Sequence, residues 1–390
     1  MNKPLKITLI SMISVLCALL LIVLSYVGYV LCSYSRIEDN LKLTPDNSKR
    51  GETEPNSEVL LETEYTAVTQ NLGFGAYTQN FTFFMDGGEK SRAESKQSVI
   101  NCITEGAKTV ENLAPDFVFF QEIDTYSDRS YHVDERELLY PHFNGFANVF
   151  AQNYHSAYLF YPIFEPHGAS NSGLITFSRA KINSAIRRSL PISQGLSKFL
   201  DLDRCYSVSR VKIGDLKSGD KSSDESDDNS GVTDKNGGKE LVLINVHLSA
   251  YGGSDEIRAA QMHMLFAEIQ SEYEKGNYVV CGGDFNHDFT GSSTQDLNGG
   301  EKVDFGWAMP FPDELLKEYA GVIRADKYSG GDLTPTCRNC DVPYKKGNFT
   351  IIVDGFLTSA NVEVTYLKNV STDFAYSDHN PVLIKFKLKA

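Results

Sequence analysis

The chain is short of positive charge: its 390 residues carry 37 Lys and Arg against 51 Asp and Glu, a formal net charge of −14. Long polyanions are held mainly through Lys and Arg on their phosphates, so this balance argues against a general nucleic-acid binder. Cysteine is sparse as well. Seven residues are too few and too scattered for a disulfide framework in a domain of this size. Cys17 and Cys32 fall in an N-terminal apolar run, and Cys102 and Cys281 sit in apolar patterns as core thiols. Cys337-Arg338-Asn339-Cys340 has the spacing of half a zinc site, but no second pair or His cluster completes it. A local disulfide or two unpaired loop thiols are the simpler readings. No internal repeat is present, and a single long hydrophobic run gives no support to a channel or transporter. Global disorder is excluded by a content of 41% hydrophobic and 11% aromatic residues.

The hydrophobic run extends from Ile7 to Cys32 without a charge, with Lys3 and Lys6 before it and Arg36 after it. As a helix it spans roughly 39 Å, against about 30 Å for a bilayer hydrocarbon core. A signal-peptide core is usually about 7–15 residues and ends in small residues. This run is longer and ends in Tyr29-Val30-Leu31-Cys32. An uncleaved single-pass anchor is therefore expected, with a cleaved signal as the alternative. Lys3, Lys6 and the amino terminus favour residues 1–6 on the cytoplasmic side, although Arg36, Lys42, Lys49 and Arg50 partly balance them. That orientation places residues 7–32 in the cell membrane and the remainder outside the cytoplasm. Residues 33–61, with Pro45, Pro55 and many charges, read as a polar linker. A folded domain is expected over 62–390.

Within that domain, strands are expected at Tyr65–Asn71, Phe117–Gln121, Leu174–Ser178, Cys205–Ile213, Leu241–Leu248, Tyr278–Cys281, Phe349–Leu357 and Val382–Leu388. Helices are expected at Ala93–Leu113 and at Asp255–Tyr273, the second turning Ile257, Ala260, Met264, Ala267 and Ile269 inward. Residues 215–239 are nearly all Ser, Gly, Asp, Glu and Lys and read as a disordered acidic loop at a hairpin tip. Strands in runs, some joined directly and some through helices, indicate an α+β or layered α/β domain and not a doubly wound parallel sheet.

Four of these strands lead into short polar segments: Gln121-Glu122, Asn245-Val246-His247, Gly283-Asp284-Phe285-Asn286 and, before the last strand, Ser377-Asp378-His379-Asn380-Pro381. Such groups would collect along one rim of a sheet. Hydrolysis of a phosphate ester needs a cation, an activated water and donors to the developing oxyanion, which this set can supply. Magnesium takes few carboxylates plus water, and Glu122 at the end of a buried strand suits it. A charged residue there is normally paired or ligated. Asp284 and Asn286 would point the same way by strand alternation, and Asp354 could orient His379 as a base or phosphate contact. Each segment alone has a bland reading as a turn, a surface charge or a structural imidazole. The combination and its order do not.

These segments, with Asn71-Leu72, Ser172-Gly173-Leu174 to Ser178-Arg179 and Asp354-Gly355-Phe356, resemble the endonuclease/exonuclease/phosphatase superfamily of metal-dependent phosphodiesterases from about Glu62 to Ala390. The resemblance implies a four-layer α/β sandwich of two packed mixed sheets flanked by helices, with Mg2+ or Mn2+ as cofactor. It implies Asn71 and Glu122 at the metal with help from Asp378. His379 with Asp354 would form a pair at the scissile phosphate, and His247 a further phosphate contact. Asp284 would orient or activate water, and Asn286 would stabilise the transition state. Tyr251 and Arg258 fall where relatives place substrate contacts, though Arg258 could equally be a surface residue. The aromatic stretch Asn153–Gly168 reads first as plain half-buried packing, with a substrate wall or a membrane-facing lip as the alternatives.

The acidic charge and the anchor favour a lipid or small phosphoester over nucleic acid, and nothing stands out for an inositol polyphosphate. An extracytoplasmic nuclease is the rival, and an inactive binding module a more distant one. The expected partners are the phosphoester and the membrane, with no protein partner.

Overall fold

The computed structural model describes residues 3–48, 53–195, 198, 202–214, 238–250, 254–300, 307, 309–331 and 333–390. In chain order the elements are α1 (Lys3–Ser33), β1 (Leu41–Leu43), β2 (Val59–Leu60), β3 (Glu64–Asn71), α2 (Lys96–Glu111), β4 (Phe117–Asp124), α3 (Glu135–Leu139) and β5 (Ala147–His155). Then come β6 (Asn171–Ser178), β7 (Ile182–Ser189), β8 (Cys205–Gly214), β9 (Glu240–His247), α4 (Asp255–Glu274) and β10 (Tyr278–Asp284). The last four are β11 (Val322–Arg324), β12 (Asp354–Ser359), β13 (Val362–Asn369) and β14 (Val382–Leu388).

One sheet has the order β1-β7-β8-β9-β10-β12-β11, with β2 beside β8, and the other β13-β14-β3-β4-β6-β5. Strand alternation makes the layers. In β9, Leu241 and Leu243 join the core between the sheets, while Val242 and Ile244 face α4. In β4, Phe117 and Phe119 face the other sheet, whereas Val118 and Phe120 pack with Val99 and Ile103 of α2. Helix, sheet, sheet and helix form the four-layer sandwich. Helix α2 starts at Ser95, whose side chain accepts from Ser98 N.

Several expectations are corrected. The stretch 33–61 is not a free linker: Leu41–Leu43 pairs antiparallel with β7 and Val59–Leu60 parallel with β8. Asp203 fastens it further, 2.7 Å from Arg36 Nη1 and accepting from Ile37 N at 2.9 Å. Its polar backbone finds partners on a sheet edge, which composition does not reveal. Helix α4 buries Met262, Leu265, Phe266 and Ile269, so of the five residues expected to face inward only Ile269 is buried. Buried Gln261 and Glu272 obscure that stripe. Gln261 accepts from Ser249 N, and Glu272 pairs with Arg210 at 2.8 Å. The strand expected at Phe349–Leu357 is broken after Ile351, because Phe285 N and Phe289 N take the carbonyls of Val353 and Ile352. Strands β5, β7, β11 and β13 are additional. Cys337 and Cys340 are buried free thiols. Most of the acidic loop 215–239 lies outside the described residues.

Candidate active site

Sheet register assembles the site. Strands β9 and β10 run parallel with His247 opposite Asp284, and β12 runs antiparallel to β10 with Asp354 opposite Asp284. Three polar side chains thus lie in one row across three adjacent strands, at the ends of β9 and β10 and the start of β12. Gly283 permits the approach: a Cβ there would lie 2.0 Å from Val246 O. In the facing sheet, β3 and β4 are parallel with Asn71 opposite Gln121. The next residue, Glu122, has φ 56° at a register shift in β4. A left-handed Glu is a costly conformation, of order 1–3 kcal/mol, and such residues cluster at functional sites. Here the distortion separates two roles. Gln121 donates to Asn245 Oδ1 at 2.8 Å, and Asn245 donates to Phe120 O and Ile175 O, stitching the sheets together. Glu122 instead lines the pocket with His247, Asp284, Asn286, Asp378 and His379.

Asn71 Nδ2 donates to Glu122 Oε1 at 3.2 Å and to Asp284 Oδ2 at 3.1 Å, so it ties the two sheets' carboxylates together. Its Oδ1 accepts from Gly73 N at 2.9 Å. His379 Nδ1 lies 2.8 Å from Asp354 Oδ2, which leaves Nε2 facing Asp284 Oδ2 at 3.8 Å and Asp378 Oδ2 at 4.0 Å. His247 Nε2 is 3.5 Å from Asp284 Oδ2 and 3.9 Å from Glu122 Oε1. Strand alternation does not relate Asp284 to Asn286. Strand β10 stops at Asp284, and Asn286 is left-handed (φ 50°), its amide N donating to Asp284 Oδ1 and its Nδ2 to Leu248 O.

The electrostatics follow from burial and crowding. Burial, reinforced by Asp354 and opposed by His379, pushes Asp284 up to about 7. Burial raises Asp378 to about 6, with His379 opposing and Glu122 adding repulsion. Burial works against the His379 cation, but Asp354 and the other carboxylates override it and hold the imidazole well above its usual value. His247 is pushed the other way by burial, with Arg204 and His379 adding repulsion, and stays neutral.

Asp86, Glu122, Asp284 and Asp378 thus line one pocket and Asp354 abuts it, and their chemistry fits a divalent cation. Asp354 Oδ1 and His247 Nδ1 are buried without a hydrogen-bond partner among the described residues. Asp284, Asp354 and His379 offer ligand atoms within 4.8 Å of one another, a possible metal site. The carboxylates of Glu122 and Asp378 with the Asn71 amide oxygen make a second, all-oxygen donor set, although Asn71 Oδ1 here accepts from Gly73 N. Hard Mg2+ prefers oxygen, and His379 Nδ1 is already committed to Asp354.

The substrate residues fare differently. Tyr251 lies outside the described residues. Arg258 is buried and donates to Trp307 O at 3.1 Å, off the pocket wall. Three other arginines line the pocket instead: Arg129, Arg204 and Arg338. Arg129 is bidentate to Asp124 at 2.9 and 3.0 Å, and Arg338 donates to Thr78 O. Arg204 is 4% exposed, and its Nε and Nη1 have no partner among the described residues. It precedes β8, whose start lies beside the end of antiparallel β9, with Tyr206 opposite Val246. A search of strand ends alone overlooks the starts of antiparallel neighbours, which share the same rim.

Among solved structures, an endonuclease/exonuclease/phosphatase from Beutenbergia cavernae matches at 14% identity and TM-score 0.50, covering 84% of this chain and 72% of its own. The 2′,3′-cyclic phosphatase ANGEL2, in complex with adenosine-2′,3′-vanadate, matches at 13% identity and TM-score 0.51, covering 90% of this chain and 99% of its own. At these identities the likeness is one of fold. No curated protein sequence matches the chain. The model of the endonuclease/exonuclease/phosphatase family matches residues 69–379, across every rim segment described above, and the chain belongs to this family of metal-dependent phosphoester hydrolases.

Proposed function

We propose that the protein is a membrane-anchored phosphodiesterase or phosphatase. In this reading it acts outside the cytoplasm, on a phospholipid or small phosphoester, with Mg2+ (or Mn2+) held by Glu122, Asn71 and Asp378. The observation that carries this reading is the rim itself: carboxylates and imidazoles from two sheets, buried and converging on one pocket. The cation would supply charge neutralisation for the phosphoryl oxygens.

The remaining roles belong to the side chains. Asp284, with its affinity for protons raised to about 7, suits it to orient water and take its proton near neutral pH. His379, held by Asp354 as a cation, presents Nε2 to a phosphoryl oxygen. Neutral His247 and the Asn286 amide are placed for further contacts to the phosphate, and Arg204 adds a positive charge from the side. Substrate class and compartment rest on other observations. The net charge of −14 disfavours long polyanions. Helix α1 is 31 residues long and apolar enough to cross a bilayer by length and composition.

The test assays the full-length protein in detergent, with Mg2+ or EDTA. Its substrates are bis-p-nitrophenyl phosphate, sphingomyelin, inositol phosphates and supercoiled plasmid. Metal-dependent turnover greatest on a lipid or small phosphoester supports the reading. Dominant plasmid nicking would make it a nuclease, and a folded, metal-binding protein inert on the whole panel would be a binding module.

A further inference from the structure

The segment from Tyr158 to Phe164 is more exposed than an aromatic stretch in a water-soluble surface should be. Phe160 is 57% exposed, Tyr161 68%, Ile163 77% and Phe164 fully exposed. This is contiguous apolar surface rather than the half-buried packing that the sequence favours, and such patches mark interaction sites.

Its neighbours say what covers it. Tyr26 OH of α1 donates to Tyr158 O at 3.1 Å, and Phe160 N lies 3.4 Å from the same hydroxyl. Tyr158 N donates to Tyr29 OH at 3.1 Å, and the Tyr26 and Phe160 rings meet edge-on at 5.1 Å. These contacts fix the segment's depth. Counted from Ile7, just after Lys6, about 20 helical residues cross the hydrocarbon core, which brings Tyr26 to the far boundary and Tyr29 one turn beyond. Tyrosine is enriched at that level, with its ring among acyl chains and its hydroxyl among headgroups. A loop hydrogen-bonded to both tyrosines lies at the membrane surface too. On its other side the loop reaches the pocket. Tyr161 packs on Phe84 at 5.7 Å, Phe84 on His167 at 6.2 Å, and His167 lines the pocket with Met85, itself 51% exposed.

We infer that Phe160, Tyr161, Ile163 and Phe164 form a lip that inserts into the outer surface of the bilayer spanned by α1, and that this lip holds the pocket mouth at the phosphoester headgroups of that membrane. The inference deepens the reading above and rests on it for the substrate class. The lip's position rests on α1 spanning the bilayer and not on the hydrolase part of that reading. Apolar side chains enter the acyl boundary, while the polar rim stays at headgroup level, where a lipid phosphate already lies. A lipid substrate then needs only lateral diffusion and a short rise, not extraction into water.

The test places full-length protein in phosphatidylcholine vesicles with and without brominated acyl chains. Bromine quenches tryptophan at the acyl boundary, and the native chain contains one Trp, Trp307. The emission added by Phe164→Trp should fall by about half or more in brominated vesicles, as shallow insertion requires. Unquenched emission at the wavelength of a water-exposed indole would overturn the lip. A second variant, Ile163→Ser with Phe164→Ser, should keep turnover of bis-p-nitrophenyl phosphate within about twofold while losing about tenfold or more on a lipid phosphoester in the same vesicles. Equal losses on both substrates would mean a structural role and overturn the substrate-delivery claim. If the parent protein turns over neither substrate, the hydrolase reading fails, and the quenching result still decides where the lip lies.

Discussion

At the rim, Asp284, Asp354 and His379 are between 0 and 5% exposed, whereas in the lip beside it the exposure of Phe160, Tyr161, Ile163 and Phe164 runs from 57% upward. One region buries charge and the other exposes aromatic surface, each against the usual partition of side chains between interior and water. The rim's cost is met locally: every carboxylate has an Asn, His or backbone partner, and the remaining charge is left for a cation. Within the described chain Phe160 is tied to α1 and Tyr161 to Phe84 and His167 N, while nothing covers Ile163 and Phe164. Departures from the burial rule are thus informative in two ways. A self-supported departure points to chemistry inside the molecule, and an unsupported one to a surface outside it.

The sharpest way to break this contrast is at the rim. Removing His379 leaves Asp354 a buried, unpaired carboxylate and takes away a phosphate contact, so His379→Ala should lower kcat by about 10²–10⁴-fold. An unchanged kcat would separate the His–Asp pair from the chemistry. The next effect concerns support of the rim rather than chemistry. Arg129 is bidentate to Asp124, and both are buried. Arg129→Met should destabilise the domain by about 3–5 kcal/mol in denaturant unfolding, because Asp124 would be left without its cation. A loss under about 1 kcal/mol would mean that the buried Asp124 does not depend on the Arg129 cation.

A smaller, pH-dependent effect comes from His167, which joins the two regions. Burial, with Arg129 adding repulsion, pulls its imidazole down to about 4. The folded state therefore favours neutral His167. Its contribution is fully present above the unfolded value near 6.5 and is lost as pH falls from there towards 4. The stability of the parent relative to His167→Gln should drop by roughly 1–2 kcal/mol between pH 7 and pH 5, and parallel curves would contradict this. The smallest effect belongs to the lip. Ile163→Ser with Phe164→Ser should change stability in detergent by less than about 0.5 kcal/mol, since these side chains pack on little. A larger loss would make them part of the fold.

Much of the rim was legible because strand ends are written locally. Glu122, His247 and Asp284 each end an apolar run, and parallel or antiparallel register places them together. What escaped depends on pairing between distant segments. Arg204 precedes β8, and only the antiparallel pairing of β8 with β9 brings it to the same rim. Strand β7 hides behind Arg187, fully buried because its guanidinium donates to the carbonyls of Gln152, Glu38 and Asp203. Residues 33–61 are polar, yet two short strands there pair with β7 and β8, since sheet edges select backbone and not side chains. The exposure of the lip was equally invisible: an aromatic run reads alike whether it packs inward or outward.

The most direct measurement is the binding of Mn2+, as a stand-in for Mg2+, followed by its paramagnetic resonance in the full-length protein and in two variants. With the cation centred on Glu122, the parent should bind Mn2+, Glu122→Gln should lose it by about 10-fold or more, and Asp354→Asn should keep it within a few-fold. Binding retained in Glu122→Gln and lost in Asp354→Asn would place the cation among Asp284, Asp354 and His379, and would contradict the roles assigned to both sheets.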